Sequence, residues 1–228
     1  MPVYNAPLLT IDPKETRRYA GLMRAKNFDE ALIEEACQDA RLLAKPQGIW
    51  QLYDYDCEKQ EVLADPPFHI EGAKIGKHLA GCDKVILLAV TVGDDIEDMV
   101  TKRFADGEYA SSVLLDAAAT TAVEQLADGM ERAIKPKMAA QGYGMRWRFS
   151  PGYGDWPLDQ QPELIRLTRC ETIGITLSES KMLMPRKSVT AIIGLYKEEK
   201  HTTPEADAHE ARGCAACGKK DCPSRRQG

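Results

Sequence analysis

The chain of 228 residues is 43% hydrophobic and 29% charged, with a formal net charge of -5. That is enough chain to bury a sizeable core, as one large domain or one domain with an appendage. The acidic balance excludes broad, non-specific nucleic-acid binding, and no apolar run approaches the roughly 20 residues that span a bilayer, so no membrane partner is expected. The start, Met1-Pro2-Val3-Tyr4-Asn5, has neither the basic residues nor the apolar run of a signal peptide, which makes the cytoplasm the expected location.

Residues 1–12 read as an extended lead-in, because Pro2 and Pro7 oppose helix. Asp12-Pro13 joins a capping residue to a proline suited to the first turn, and predicts a helix to about Ala25. Asn27 and Asp29 open a second helix, with Leu32, Ile33, Ala36, Ala40 and Leu43 at helical spacing. Ile49 to Tyr55 is rich in β-formers and predicts a strand, with Glu61-Val62-Leu63 as a short partner. After a short helix over 73–80, Lys84 to Thr91 is a continuous apolar run that predicts a central strand. Asp94 and Asp95 read as caps of a helix reaching Phe104, and their charge would repel a phosphate there.

A long segment from about Glu108 to Ala140 predicts a core helix, bent near Pro136, with Leu114, Ala118, Ala122, Leu126 and Met130 on one face. Met145 to Phe149 is strand-like and Leu158 to Thr168 helical, while Ile173 to Leu177 and Ser188 to Tyr196 read as two more strands. Between those strands, 178–187 is polar and has little reason to be buried unless it faces a site. The fold class that results is α+β, a mixed or antiparallel sheet covered by long helices, over residues 1–196.

Residues 197–228 read as a separate unit, a flexible linker followed by a Cys-containing tail. Cys37, Cys57, Cys82 and Cys170 are scattered and read as small buried apolar residues. Cys214, Cys217 and Cys222 are clustered, which in a reducing compartment points to metal or redox chemistry rather than disulfides. Three thiolates fall one short of a closed zinc site or a four-iron cluster, so His201, His209, a distant Cys, a substrate or a partner would complete the set. The nearby Arg and Lys residues would lower the thiol pKa values. Inert thiols in a disordered tail are the alternative.

The densest stretch is Arg146-Trp147-Arg148-Phe149-Ser150-Pro151-Gly152-Tyr153-Gly154-Asp155-Trp156-Pro157. Pro fixes φ and Gly permits positive φ, so such a loop is held in one shape. A plain Pro-Gly turn over a packed Trp is one reading; two guanidinium groups beside exposed-type aromatics favour a functional loop as the other. No Gly-rich dinucleotide fingerprint, phosphate-binding Walker loop, paired-His zinc motif or nucleophile elbow is present, which leaves an ordinary hydrolase unsupported.

Arg148-Phe149-Ser150-Pro151-Gly152-Tyr153 matches Arg-x-x-x-Gly-Tyr, and Ile173 to Ser180, Met184-Pro185 and Ser188-Val189 follow it as a second block. Over about 141–196 this resembles the activation domain of cobalamin-dependent methionine synthase, here as a stand-alone activation subunit. The family's N-terminal Asp-Trp block and its C-terminal Tyr-containing strand and helix have no counterpart. The resemblance implies that S-adenosylmethionine is bound by Arg148, Ser150, Pro151, Gly152, Tyr153, Glu179 and Ser180. Arg148 would fork onto the ligand carboxylate, Gly152 would admit it, Tyr153 would pack on it, and Glu179 would meet its positive charge.

The implied role is reductive methylation of a cobalamin held by a separate corrinoid-binding methionine synthase chain. A flavodoxin-like or other low-potential donor would supply one electron. That makes the chain a component of a methyltransferase in methionine biosynthesis, acting by positioning rather than acid–base chemistry. Two other readings stand beside it. One is a module that caps a corrinoid protein without its own cofactor; the other is an iron–sulfur or zinc electron-transfer protein working through Cys214, Cys217 and Cys222.

Overall fold

An apolar run without alternation requires cover on both faces, and the run at 84–91 has it. The structure, a computed structural model, describes residues 3–5, 7–25 and 28–197. In chain order its helices and strands are β1 (Val3–Tyr4), α1 (Pro13–Tyr19), α2 (Glu30–Leu43), β2 (Gln47–Asp56), β3 (Glu61–Val62), β4 (Phe68–His69) and α3 (Ala73–His78). Then follow β5 (Lys84–Thr91), α4 (Asp95–Ala105), α5 (Tyr109–Ala139), β6 (Tyr143–Met145), α6 (Gln161–Thr168), β7 (Thr176–Leu177), β8 (Leu183–Met184) and β9 (Ser188–Lys197).

Strand order in the main sheet is β4-β3-β2-β5-β9-β6, with β1 added beside β2, and every pairing is antiparallel. The expected α+β class holds, with the sheet antiparallel rather than mixed. Side chains of β5 alternate between two cores. Ile86, Leu88 and Val90 join Ala191, Ile193 and Leu195 of β9 under α2, α4 and α5. Val85 and Leu87 point the other way, against Ile75, Leu79, Trp156, Leu164 and Leu167.

Local chemistry sets the element ends. Asp12 caps α1 by accepting from Lys14 N and Glu15 N, and Asp29 caps α2 by accepting from Ala31 N. The first helix stops earlier than expected: Gly21 turns left-handed at φ +73, and a 3-10 turn replaces the rest. Asp94 makes no side-chain cap, because its own backbone is already helical; Asp95 instead pairs with Lys45 Nζ at 2.7 Å. The strand expected over 173–177 is only partly formed: Ile173 ends a 3-10 turn at Cys170–Ile173, and only Thr176–Leu177 are strand. Arg169 and Gly174, both left-handed, bracket that turn and leave only β7 extended. Similarly, β6 ends at Met145, and Phe149 returns to β9 through one isolated bridge to Ile192.

Cys37, Cys82 and Cys170 are buried as expected, but Cys57 is exposed, since it lies in the turn after β2. Among the described residues, no helix is long and apolar enough to cross a membrane. Cys214, Cys217 and Cys222 lie outside the described residues.

Candidate functional site

The Pro-Gly loop is fastened at both ends. Phe149 exchanges two backbone hydrogen bonds with Ile192 of β9, at 2.9 and 2.8 Å, and Arg146 N donates to Gly194 O at 2.8 Å. At the far end Trp156 is 1% exposed, and its indole N–H donates to Gln160 Oε1 at 2.7 Å. The same oxygen accepts from Glu71 N, while Gln160 Nε2 donates to His69 O. Asp155 accepts from Lys74 N at the start of α3. Gly152 sits at φ +86 and donates its N–H to Trp156 O. A Cβ there would meet only Leu158, at 3.8 Å, so this glycine serves the turn, not close approach to a ligand.

So anchored, the loop forms one wall of a cleft of ≈ 830 Å³, within the usual size range of small-molecule sites. Trp147, Arg148, Ser150, Pro151 and Tyr153 face it from the loop. Other walls come from Arg18 and Tyr19 at the end of α1, Glu124 and Asp128 on α5, and Leu158 and Gln161 leading into α6. Lys181, Met182 and Leu183 from the β7–β8 hairpin, Arg186 in the link that follows it, and Ser188, Val189 and Thr190 at the start of β9 complete it. The polar segment between the last two long elements thus contributes to the cleft.

Glu179 and Ser180 do not line it. Both are exposed at the hairpin turn, where Ser180 and Ser178 share a hydroxyl hydrogen bond of 2.9 Å. Arg148 does line it, yet its guanidinium is already engaged. Nη1 donates to Asp128 Oδ1 at 2.5 Å and to Glu131 Oε2 at 3.3 Å, and Nη2 donates to Glu124 Oε2 at 2.6 Å. Glu131 also accepts from Arg148 N at 3.1 Å. Burial opposes the charge, but the three carboxylates outweigh it and hold the pKa of Arg148 above its ordinary value.

Positions 124, 128 and 131 are spaced by four and three, so they share one face of α5. That acid stripe was the missed signal: it stands out on a helix otherwise rich in buried Ala and Leu. For Arg18 and Tyr19 no such signal exists, because only the tertiary fold brings α1 to the loop. Arg18 donates from Nε and Nη2 to Glu15 Oε2 at 3.0 and 2.7 Å, and its guanidinium lies 4.0 Å from the centroid of the Tyr19 ring. Burial, then the charge of Glu124, raises the Tyr19 pKa, so this phenol stays protonated.

Aromatic side chains continue beyond the cleft. Trp147 stacks on Phe149 with centroids 5.3 Å apart, and His78 lies 4.2 Å from Trp147. Trp147 and Tyr153 remain 39% and 65% exposed, which gives the cleft an apolar rim. Together these features suit a ligand with a flat ring, an apolar link and separated positive and negative charges. Among the described residues, no cluster of His, Cys, Asp and Glu suits a metal ion.

No family profile matches the chain. A methionine synthase from Mycobacterium tuberculosis is 28% identical over 131 residues, covering 49% of this chain and 11% of that protein. The chain therefore spans about a tenth of the length of this curated relative. In fold, the chain is similar to the MetH reactivation domain, solved bound to AdoHcy, with a TM-score of 0.58 at 16% identity. That match covers 88% of this chain and 80% of the solved one, well beyond the stretch carrying the two sequence blocks. In fold, and over part of its sequence, the chain is thus similar to the reactivation domain of methionine synthase.

Proposed function

We propose that the chain binds S-adenosylmethionine in this cleft and presents it to the corrinoid of a methionine synthase carried on a separate chain, in reductive reactivation of that cofactor. The observation that carries this reading is one cleft joining the Arg148–Tyr153 loop to the Ser188–Thr190 strand start. Arg148–Tyr153 is the first block of the family resemblance and Ser188-Val189 the end of the second, and the fold is similar to a domain solved with AdoHcy. The ligand supplies a transferable methyl on a sulfonium; the partner supplies the acceptor.

The chain's own residues bind and orient. Tyr19, Trp147 and Tyr153 offer flat faces to an adenine or a sulfonium. Glu124 and Asp128 place negative charge where an ammonium or sulfonium is favoured, while Arg148 holds them in place. Ser150 and Pro151 fix the loop beneath. A low-potential donor such as a flavodoxin supplies the electron. The tail cysteines Cys214, Cys217 and Cys222 are proposed as an iron–sulfur or zinc site serving electron entry.

Reconstitution tests the reading. A corrinoid methionine synthase that has lost turnover by oxidation is mixed with this chain, S-adenosylmethionine and a low-potential reductant. Recovery of methionine formation is expected only with all three. Equal recovery without S-adenosylmethionine would replace this reading with a capping module that has no cofactor of its own.

A further inference from the structure

The three guanidinium groups that line the cleft, those of Arg18, Arg148 and Arg186, are not equally free to bind an anion. Arg148 is ion-paired to Glu124, Asp128 and Glu131 at once. A ligand carboxylate approaching it would meet three like charges at the same guanidinium. Among the described residues, Arg18 has one ion-pair partner, Glu15, and both of its bonds there end on a single oxygen, Oε2. A guanidinium has five N–H donors, so those two bonds leave Nη1 unused by Glu15.

Exposure separates Arg18 from the other cations of the cleft. Its side chain is 11% exposed, against 41% for Lys181 and 58% for Arg186, which pair with Asp159 and Glu97 at the mouth. Solvent-exposed pairs of that kind contribute little and are screened by salt, whereas a sheltered guanidinium keeps its attraction for an anion. The Tyr19 ring against Arg18 also restricts the guanidinium plane, which favours two-point binding of a carboxylate.

We infer that Arg18, not Arg148, receives the carboxylate of the ligand's amino-acid end, and that the acid stripe of Glu124 and Asp128 faces its positive centres. This rests on the reading of the cleft as an S-adenosylmethionine site. It makes α1 a specificity element, although neither sequence block includes it.

Calorimetric titration of the full chain with S-adenosylmethionine and with its decarboxylated analogue tests the assignment. The wild type is expected to prefer the intact ligand by about ten- to a hundredfold, the range of a charge-assisted contact. In Arg18→Met that preference should fall to about one, through loss of affinity for the intact ligand alone. Arg18→Lys, which keeps the charge without the fork, should recover part of it. Thermal unfolding of both variants separates loss of recognition from loss of fold. A preference that survives in a folded Arg18→Met, or that disappears instead in Lys181→Met or Arg186→Met, overturns the assignment. Equal wild-type affinity for both ligands overturns it too, while leaving the cleft reading intact. Binding of neither ligand removes both.

Discussion

His78 shows how the loop depends on the protonation of one side chain. Burial, helped by the charge of Arg146, outweighs the opposing contact with the Trp147 carbonyl and leaves the imidazole pKa below its usual value. It is held neutral, with Nε2 2.9 Å from Trp147 O. In the unfolded chain the ring takes a proton near pH 6.5, so over the interval below that the unfolded state binds more protons. Stability is present above that pH and is lost as pH falls towards the folded pKa. Denaturant melts from pH 7.5 to 5 should show this decline, and His78→Gln should flatten it.

Arg148 carries a larger structural load. Arg148→Ala leaves Glu131, which is 8% exposed, beside two further carboxylates without the guanidinium. Breaking a fully buried pair costs about 3–5 kcal/mol, and partial exposure of Glu124 and Asp128 lowers the expectation to about 1–3 kcal/mol. Urea denaturation measures it, and a loss of ligand binding in that variant is to be read beside the melt.

Among the elements, β5 was the most legible. A run with no polar position has one solution in a sheet covered on both faces, and the strand occupies the residues the run marks out. Leu88 is fully buried under the long helices, so Leu88→Ala should destabilise by about 2–5 kcal/mol, measured by denaturant midpoint. The site was legible in part. Arg148, Ser150, Pro151 and Tyr153 reach the cleft because a loop rich in Pro and Gly encodes its own shape locally. Glu179 and Ser180 do not, because a hairpin turn decides which way its tip points, and Lys181 adopts φ +61 there. The contributions of α1 and α5 were hidden for another reason. One helix reaches the loop only through tertiary packing, and the other presents its acids on the edge of a face that otherwise reads as core.

At the scale of the whole molecule, the sheet, the apolar cores and the cleft, among the described residues, are built from residues up to Lys197. A chain cut after Lys197 is expected to keep its melting temperature within about a degree or two and to keep its affinity for S-adenosylmethionine. Any iron or zinc found in the full chain should be lost from it. Scanning calorimetry and metal analysis of the two forms check this, and loss of ligand binding on truncation would move the working part of the protein to the tail. The central claim is that the cleft itself binds S-adenosylmethionine, and the most direct measurement is its calorimetric titration into the wild type and into Asp128→Asn. Saturable one-to-one binding, weakened about ten- to a hundredfold by removing that charge, is the result the account predicts. No binding by the wild type, or binding of equal strength in the variant, would contradict it.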